Sequence, residues 1–252
     1  MTGSKAGFTL IELIVVIGII AVIAAVAIPG LVSAQRAAHE RNASASLKTV
    51  TTANHDFRAN DRDGNRLVDY WSGDMAGLSV IVPQVGSGPS PTRTYGAAIR
   101  LVDLSMASAD AAFGGAGVRY AANMHVPVVD AIVAFRPKSG FWYARMINEV
   151  SATGTIPYQV DTDGASNSNW GACHNIDRFA YIAFPATLGL GRVAFIVSNE
   201  GIVFKTNLSV TYAATVTVGA VTTSTITGSN LAPGLTTFEY PQPPAGGWSR
   251  MD

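Results

Sequence analysis

The stretch FTLIELIVVIGIIAVIAAVAI, residues 8–28, decides the fold, and Glu12 is its only charged residue. As an α-helix at ~1.5 Å per residue it would be about 31 Å long, close to the ~30 Å hydrocarbon core of a bilayer. Apolar residues surround this helix instead of following one stripe, so it requires lipid or complete burial. The stretch therefore predicts a helix that spans a membrane or forms the apolar core of an assembly.

The seven residues before this stretch, MTGSKAG, form a short polar leader whose one charged residue is Lys5. A positive charge there favours a cytoplasmic location for the leader. Three interpretations fit the pattern. A secretory signal peptide could be cut at Val32-Ser33-Ala34, but its apolar region would be long and would contain a carboxylate. The second interpretation, an uncleaved signal anchor, fits the length of the apolar run but gives no reason for Glu12. The third interpretation is a cut directly after the leader.

The run GFTLIE at residues 7–12 resembles the cleavage and methylation site of type IV prepilins, and Pro29 stands where that family has a helix-bending proline. The resemblance implies that a prepilin peptidase, which is also the methylase, cuts after Gly7 and that the new amine of Phe8 is methylated. It further implies that Phe8, Glu12 and Pro29 act in assembly of a helical homopolymer. An assembly ATPase and an inner-membrane platform are the other partners that it implies.

The carboxylate of Glu12 needs a counter-ion, because a charge in the bilayer costs ~2.5–3.5 kcal/mol on insertion scales. No Lys, Arg or His lies between Phe8 and Val32. The free amine of Phe8 on a neighbouring subunit would serve, since a pair at ~4 Å gains about 4 kcal/mol at an effective dielectric constant near 20. The alternative is that Glu12 reaches the headgroups near the start of the helix.

The expected architecture is α+β, with one long N-terminal helix followed by an antiparallel β-sheet head. Its parts are a leader at residues 1–7, a hydrophobic transmembrane or filament-core helix at 8–30, and a globular head at 31–252 that includes the C-terminal half of the helix. Between residue 31 and about residue 60 a stripe at helical spacing predicts the face that packs on the head. Its members are Leu31, Ala34, Ala38, Ala45, Val50, Ala53 and Phe57.

Apolar runs after the helix predict strands, bounded by residues typical of turns. The runs 192–197 and 202–205 flank Ser198-Asn199-Glu200-Gly201 and predict a hairpin. Alternating Thr and Val at 208–227 favour two more strands around Gly219. Further strands are predicted at Ala131–Arg136, Phe141–Ile147 and Arg178–Phe184. Stretches of the head also look similar to large pilin-like proteins.

The acid-rich segment after the helix has the ligand spacing of a calcium loop. Asp61, Asp63, Asn65 and Asp69 fall at positions one, three, five and nine, and the carbonyl of Leu67 falls at position seven. Ca²⁺ takes 6–8 oxygen ligands from a tightly curved loop, so Ca²⁺ is the expected cofactor. The sequence departs from the pattern because Arg stands at position six and Ser at position twelve. The alternative is a solvated turn in which two arginines, at 62 and 66, neutralise the aspartates.

The composition limits the classes of function. Seventeen basic residues balance seventeen acidic ones, so the chain has no overall positive charge with which to bind nucleic acid. The single Cys173 excludes a zinc site built on paired cysteines. No GxSxG, HExxH or GxxxxGK[ST] motif occurs, so we expect no enzymatic activity.

These observations together predict a structural subunit of an extracellular type IV pilus-like filament, held in the inner membrane as a precursor and then assembled at the cell surface. Alternatives within the same resemblance are a type II secretion pseudopilin and a minor pilin that acts as an adhesin or in DNA uptake. An enzyme tethered by a signal anchor is a further alternative. The Thr-rich region near the C-terminus favours the surface pilus.

Overall fold

The structure is a computed structural model that describes residues 7–64, 66–73, 75–83, 96–110, 136–146, 148–151, 154–157, 174–187, 189–208, 213–218, 221–227, 237–239 and 248–251. Its helices are α1 (Leu10–Ala59), a short 3₁₀ turn (Gly77–Ser79) and α2 (Leu104–Ser108). Its strands are β1 (Tyr70–Trp71), β2 (Phe141–Arg145), β3 (Asn148–Ser151), β4 (Gly154–Pro157), β5 (His174–Asn175), β6 (Ala180–Pro185), β7 (Val193–Ser198), β8 (Val203–Asn207), β9 (Ala213–Val218), β10 (Val221–Thr227), β11 (Thr237–Glu239) and β12 (Trp248–Arg250).

Helix α1 runs without interruption for 50 residues, as the sequence predicts, and it continues through Pro29. Proline has no amide hydrogen, so the carbonyl four residues before it lacks its usual helical hydrogen bond. Asn60 caps the C-terminal end, and its amide donates to the Asp56 carbonyl at 3.1 Å. Within the described residues, α1 is the one helix whose length and composition would let it cross a membrane.

The main sheet of the head has five strands in the order β12-β8-β7-β6-β2, and all its neighbours are antiparallel. A two-stranded ribbon, β1 with β5, lies beside the end of α1, and β9 pairs with β10. Strand β3 pairs with β4 in antiparallel fashion and with β11 in parallel fashion. The α+β class with a long N-terminal helix and an antiparallel sheet is therefore confirmed.

The strands predicted at 178–184, 192–197 and 202–205 are found within two residues of their expected bounds. The predicted hairpin is β7–β8, and Gly201 in its turn has φ +73°, a conformation that glycine adopts at low cost. The two strands predicted around Gly219 are β9 and β10. The run 141–147 is a strand only as far as Arg145. Of the strand predicted at 131–136, residues 131–135 lie outside the described residues, and Arg136 is not part of a strand.

The predicted core stripe of α1 is wrong in its N-terminal part. Leu31, Ala34, Ala38 and Ala45 are exposed. Among the described residues, the helix begins to be covered by the head only near Arg36, which explains the exposure of Leu31 and Ala34. Ala38 and Ala45 lie beyond that point but off the covered face, which passes through 43 and 47. The side chains of α1 that are buried are Ala43, Ser44, Ser46, Leu47, Val50, Thr51, Ala53, Asn54 and Phe57.

A buried hydrogen-bond network joins α1 to two strands. The Asn54 side-chain oxygen accepts from the Trp71 amide at 3.0 Å. The Tyr181 hydroxyl donates to the Trp71 carbonyl at 2.9 Å, and the Asn54 amide group approaches that hydroxyl at 3.5 Å. The Trp71 ring is fully buried against Gly73 and Gly77, where any side chain would clash with it. These contacts fix the ribbon β1–β5 against the helix.

We expect Asn54→Ala to lower the free energy of unfolding by about 1–3 kcal/mol, because the buried Trp71 amide loses its acceptor. Urea unfolding of the full chain in detergent micelles, followed by tryptophan fluorescence, measures the change. Asn42→Ala is the matched control, since Asn42 is exposed on the same helix and its loss should cost less than ~0.5 kcal/mol. Equal effects of the two substitutions would contradict this account of the network.

Candidate functional site

The predicted processing site lies outside helical structure and is exposed. Gly7 and Phe8 precede α1, and the Phe8 side chain is 87% exposed. The next residue, Thr9, is the N-cap of α1 and has extended backbone angles, φ −81° and ψ 151°. Within the described residues, the peptide bond between Gly7 and Phe8 is therefore covered neither by helical structure nor by packing.

Glu12 and Thr9 cap the N-terminus of α1 with a reciprocal pair of hydrogen bonds, a capping box. The Glu12 amide donates to the Thr9 hydroxyl oxygen at 3.3 Å, and the Thr9 amide donates to the Glu12 carboxylate at 2.9 Å. The Thr9 hydroxyl also donates to that carboxylate at 2.8 Å. A capping box satisfies two backbone amides that a helix start leaves without partners. It also turns the Glu12 carboxylate back toward Phe8.

The N-terminal half of α1 is covered by nothing in the described structure. Its large apolar side chains are exposed throughout, from 38% at Val32 to 78% at Val26. Burying them would be favourable by about 1.5–3 kcal/mol for each fully buried side chain. Pro29 lies within this half and is exposed, so no described part of the head covers it. Residues 8–30 therefore present an apolar surface that lipid or other subunits must cover.

The acid-rich segment forms a curved loop directly after α1. Asp61 and Gly64 both have positive φ, 43° and 70°, and Arg66 has φ 69°. Asp63 and Asp69 are buried, with 4% and 1% exposure. Among the other predicted calcium ligands, Asp61 and Leu67 are half-buried, whereas Asn65 lies outside the described residues.

The structure adds His174 to this segment, and the sequence analysis had assigned that residue no role. Its Nδ1 lies 3.3 Å from Asp69 Oδ1, and its Nε2 lies 3.9 Å from Asp63 Oδ2. The pairing of β1 with β5, which places Trp71 opposite His174, brings the histidine to the loop. The side chain is 2% exposed and its ring packs on the Trp71 and Phe57 rings.

The environment of Asp63 disfavours its ionised form. Burial is the main reason that the pKa of Asp63 is raised to about 8; the charge of His174 lowers this pKa, whereas the carboxylates of Asp69 and Asp61 and a hydrogen bond with Asp61 raise it. In addition, Oδ1 of Asp61 and Oδ1 of Asp63 are shielded from solvent, and neither accepts a hydrogen bond within the described structure. The Asp63 carboxyl group therefore favours its protonated form at neutral pH.

The alternative of a turn neutralised by its own arginines is not what the structure shows. Arg62 turns away from the loop, and its guanidinium donates to both carboxylate oxygens of Asp56 at 2.9 and 3.0 Å. This hydrogen bonding lowers the pKa of Asp56 below its usual value. Arg66 is exposed, and among the described residues it forms no ion pair with these aspartates. Its backbone amide, by contrast, donates to Asp61 at 3.1 Å.

The described side chains do not form a complete metal site as they stand. Within that part of the chain, no three Asp, Glu, His or Cys side chains are arranged so that they could hold a metal ion. Calcium binding thus remains a prediction. The loop nevertheless brings Asp61, Asp63 and Asp69 into one neighbourhood, as the spacing in the sequence predicts.

Comparison with known proteins gives one match. Residues 3–28 match the family model described as the prokaryotic N-terminal methylation motif. No curated protein and no solved structure matches the chain significantly. The matched segment contains the exposed Gly7–Phe8 bond, the capping box of Glu12 and most of the uncovered apolar half of α1. The chain thus carries the N-terminal methylation motif that is the hallmark of the precursors of type IV pilins and pseudopilins.

Proposed function

We propose that this protein is a structural subunit of an extracellular type IV pilus-like filament, made as an inner-membrane precursor and polymerised through its N-terminal helix. The observation that carries the proposal is the methylation motif at residues 3–28, placed directly on a helix whose first half is apolar and exposed. Within this proposal, residues 1–7 are the leader that prepilin peptidase removes. Residues 8–30 are the transmembrane and filament-core helix, and residues 31–252 form the head.

The uncovered half of α1 supports both stages of this pathway. Before assembly, lipid can cover the side chains between Phe8 and Val32. After assembly, the same side chains can pack against helices of neighbouring subunits, where Ala21, Ala24 and Ala25 allow a close approach of backbones. Association of a helix with a different face of the next copy is heterologous, so it produces an open helical filament instead of a closed ring.

The capping box supports a specific role for Glu12. In the single chain its carboxylate binds the amide and hydroxyl of Thr9, one residue from the amine that a cut after Gly7 would create. In a filament the amine of Phe8 on a neighbouring subunit would take that carboxylate as its counter-ion. The pair forms only where the two helices have the correct offset, so it sets the register of subunits along the filament.

The choice of a surface pilus over a secretion pseudopilus depends on the head. Residues 208–227 are rich in Thr and Val, and they include the paired strands β9 and β10. Such a Thr-rich region favours an exposed filament surface. The proposal assigns the chain no enzymatic activity, and the assembly ATPase and inner-membrane platform would supply the work of extension.

The first test is the intact mass of the protein in sheared surface filaments. A chain that begins at Phe8 and carries one added methyl group is the expected result, because the Gly7–Phe8 bond is exposed and lies outside the helix. A chain that begins at Met1 would indicate an uncleaved anchor. One that begins at Gln35 would indicate a signal peptide, and either result would refute the proposal.

The second test is Glu12→Gln. Glutamine retains the oxygen acceptor of the capping box but removes the charge, so membrane insertion should persist while the yield of filaments falls at least about tenfold, the effect of ~1.4 kcal/mol per interface. Quantitative electron microscopy and the cell-surface fraction of the protein measure the yield. Glu200→Gln, an exposed position in the head, is the matched control. Normal filaments from Glu12→Gln would exclude the ion-pair mechanism.

A further inference from the structure

Positively charged side chains lie at the level where α1 leaves the head. After Glu12 the helix has no charged residue until Arg36, and Arg41 follows about one and a half turns later. Arg192, in the segment between β6 and β7, lies at the same level, because its backbone amide donates to the Glu40 carboxylate at 2.9 Å. Three arginines accompany one glutamate here, so the charge of this group of side chains is positive.

Two of these arginines are free to bind a partner. Arg41 and Arg192 are exposed, and within the described residues their side chains form no ion pair or hydrogen bond. The third, Arg36, donates from Nε to the Gly189 carbonyl at 2.9 Å, which fixes its guanidinium beside the segment that carries Arg192. Its charge is not neutralised by this bond, because the acceptor is a neutral carbonyl group.

The length of the helix places these charges near the surface of a bilayer that covers its apolar half. Val32 is the last of the exposed large apolar side chains of α1. At ~1.5 Å per residue, Arg36 lies about 6 Å beyond Val32 and Arg41 lies about 14 Å beyond it. The headgroup layer extends roughly 5–8 Å from the hydrocarbon core. Side chains on a helix lean toward its N-terminus, so the long Arg41 side chain extends back toward that layer.

The charges also lie on different sides of α1. Arg36 is on the side that contacts the segment 189–192, together with Glu40. Arg41 is turned about 140° from Arg36 around the helix axis, at 3.6 residues per turn. A protein docked at this level would approach the helix from one side, whereas lipid headgroups surround a membrane-spanning helix on all sides. The arrangement therefore favours lipid as the partner.

We propose that Arg36, Arg41 and Arg192 form a surface that binds the phosphate groups of anionic phospholipids. Arginine suits this ligand, because its planar guanidinium donates hydrogen bonds to a phosphate and keeps its charge. Binding would hold the base of the head against the membrane and restrict its tilt. The inference rests on the membrane-held precursor of the proposed function, but it does not require filaments.

The test is reconstitution of the full chain in vesicles of phosphatidylcholine mixed with phosphatidylglycerol. Spin-labelled forms of the two lipids measure their relative affinity for the protein, because the spectrum separates lipid in contact with protein from free lipid. Wild type should prefer phosphatidylglycerol. The double substitution Arg41→Gln and Arg192→Gln should lower this preference at least about fivefold, the effect of one basic residue near an anionic surface. Arg36 stays unchanged, because its loss would also break the bond to Gly189.

Lys48→Gln is the matched control for the loss of positive charge. Lys48 is exposed on the same helix but lies about 24 Å beyond Val32, well outside the headgroup layer. This substitution should leave the lipid preference unchanged. Lys5 in the leader contributes equally to all the chains, so it does not affect the comparison between them.

Salt gives a second measurement that needs no substitution. At about 1 M salt the Debye length falls to ~3 Å, so the wild-type preference should be lost. The proposal is overturned if this preference is absent, if it survives the salt, or if the double substitution retains it. Retention would assign the arginines to an acidic protein partner instead. A lack of preference in a chain whose filament form begins at Phe8 would refute this inference alone and leave the proposed function intact.

Discussion

The two halves of α1 lie in different environments: the first half exposes apolar side chains, and the second half packs on the head. The rest of the molecule depends on this constraint. The first half of α1 exposes apolar side chains on every face, whereas the second half buries a stripe that includes Leu47, Val50 and Phe57 in the head. Full burial of the exposed half would be favourable by on the order of 20 kcal/mol, more than the typical stability of a whole domain. The described structure therefore leaves this half of the helix uncovered, as fits the membrane-held precursor that the methylation motif indicates.

The head has to hold this helix firmly, and it does so mainly with polar contacts at the two ends of the buried stripe. At one end Asn54 and Tyr181 bind both backbone groups of Trp71. At the other end Arg36 and Glu40 bind backbone atoms of the segment between β6 and β7. Apolar packing between these ends provides most of the stabilisation, and the hydrogen bonds determine which face of the helix is turned inward.

Features encoded over a few residues could be predicted from the sequence. The apolar run 8–28, the GFTLIE motif and the turn at Gly201 each depend on neighbours along the chain, and the structure or the family comparison confirms them. The inward face of an alanine-rich helix was harder to predict. Ala43 lies seven residues before Val50, which is about two helical turns, whereas Ala45 lies five residues before Val50 and so falls on another side of the helix.

The acid-rich loop likewise shows that contacts between segments distant in the sequence could not be predicted from local patterns. The spacing of Asp61, Asp63 and Asp69 predicted that they would lie near one another, but nothing local indicated that His174 would join them. That contact depends on the pairing of β1 with β5, which are far apart in the sequence. The partner of the Arg62 side chain could not be predicted either, because its guanidinium pairs with Asp56 in the last turn of α1 and not with the aspartates of the loop.

The contacts of Arg36 and Glu40 have a mechanical consequence for any assembly built on this helix. The two residues lie one turn apart on the same side of α1, and they bind Gly189 and Arg192 through main-chain atoms at 2.9 Å. Tension along the helix would reach the head first at these two bonds and would load them together, in shear. The hydrophobic contacts farther along the helix would share this load, so the two hydrogen bonds are the described head contacts closest to the point where the force enters.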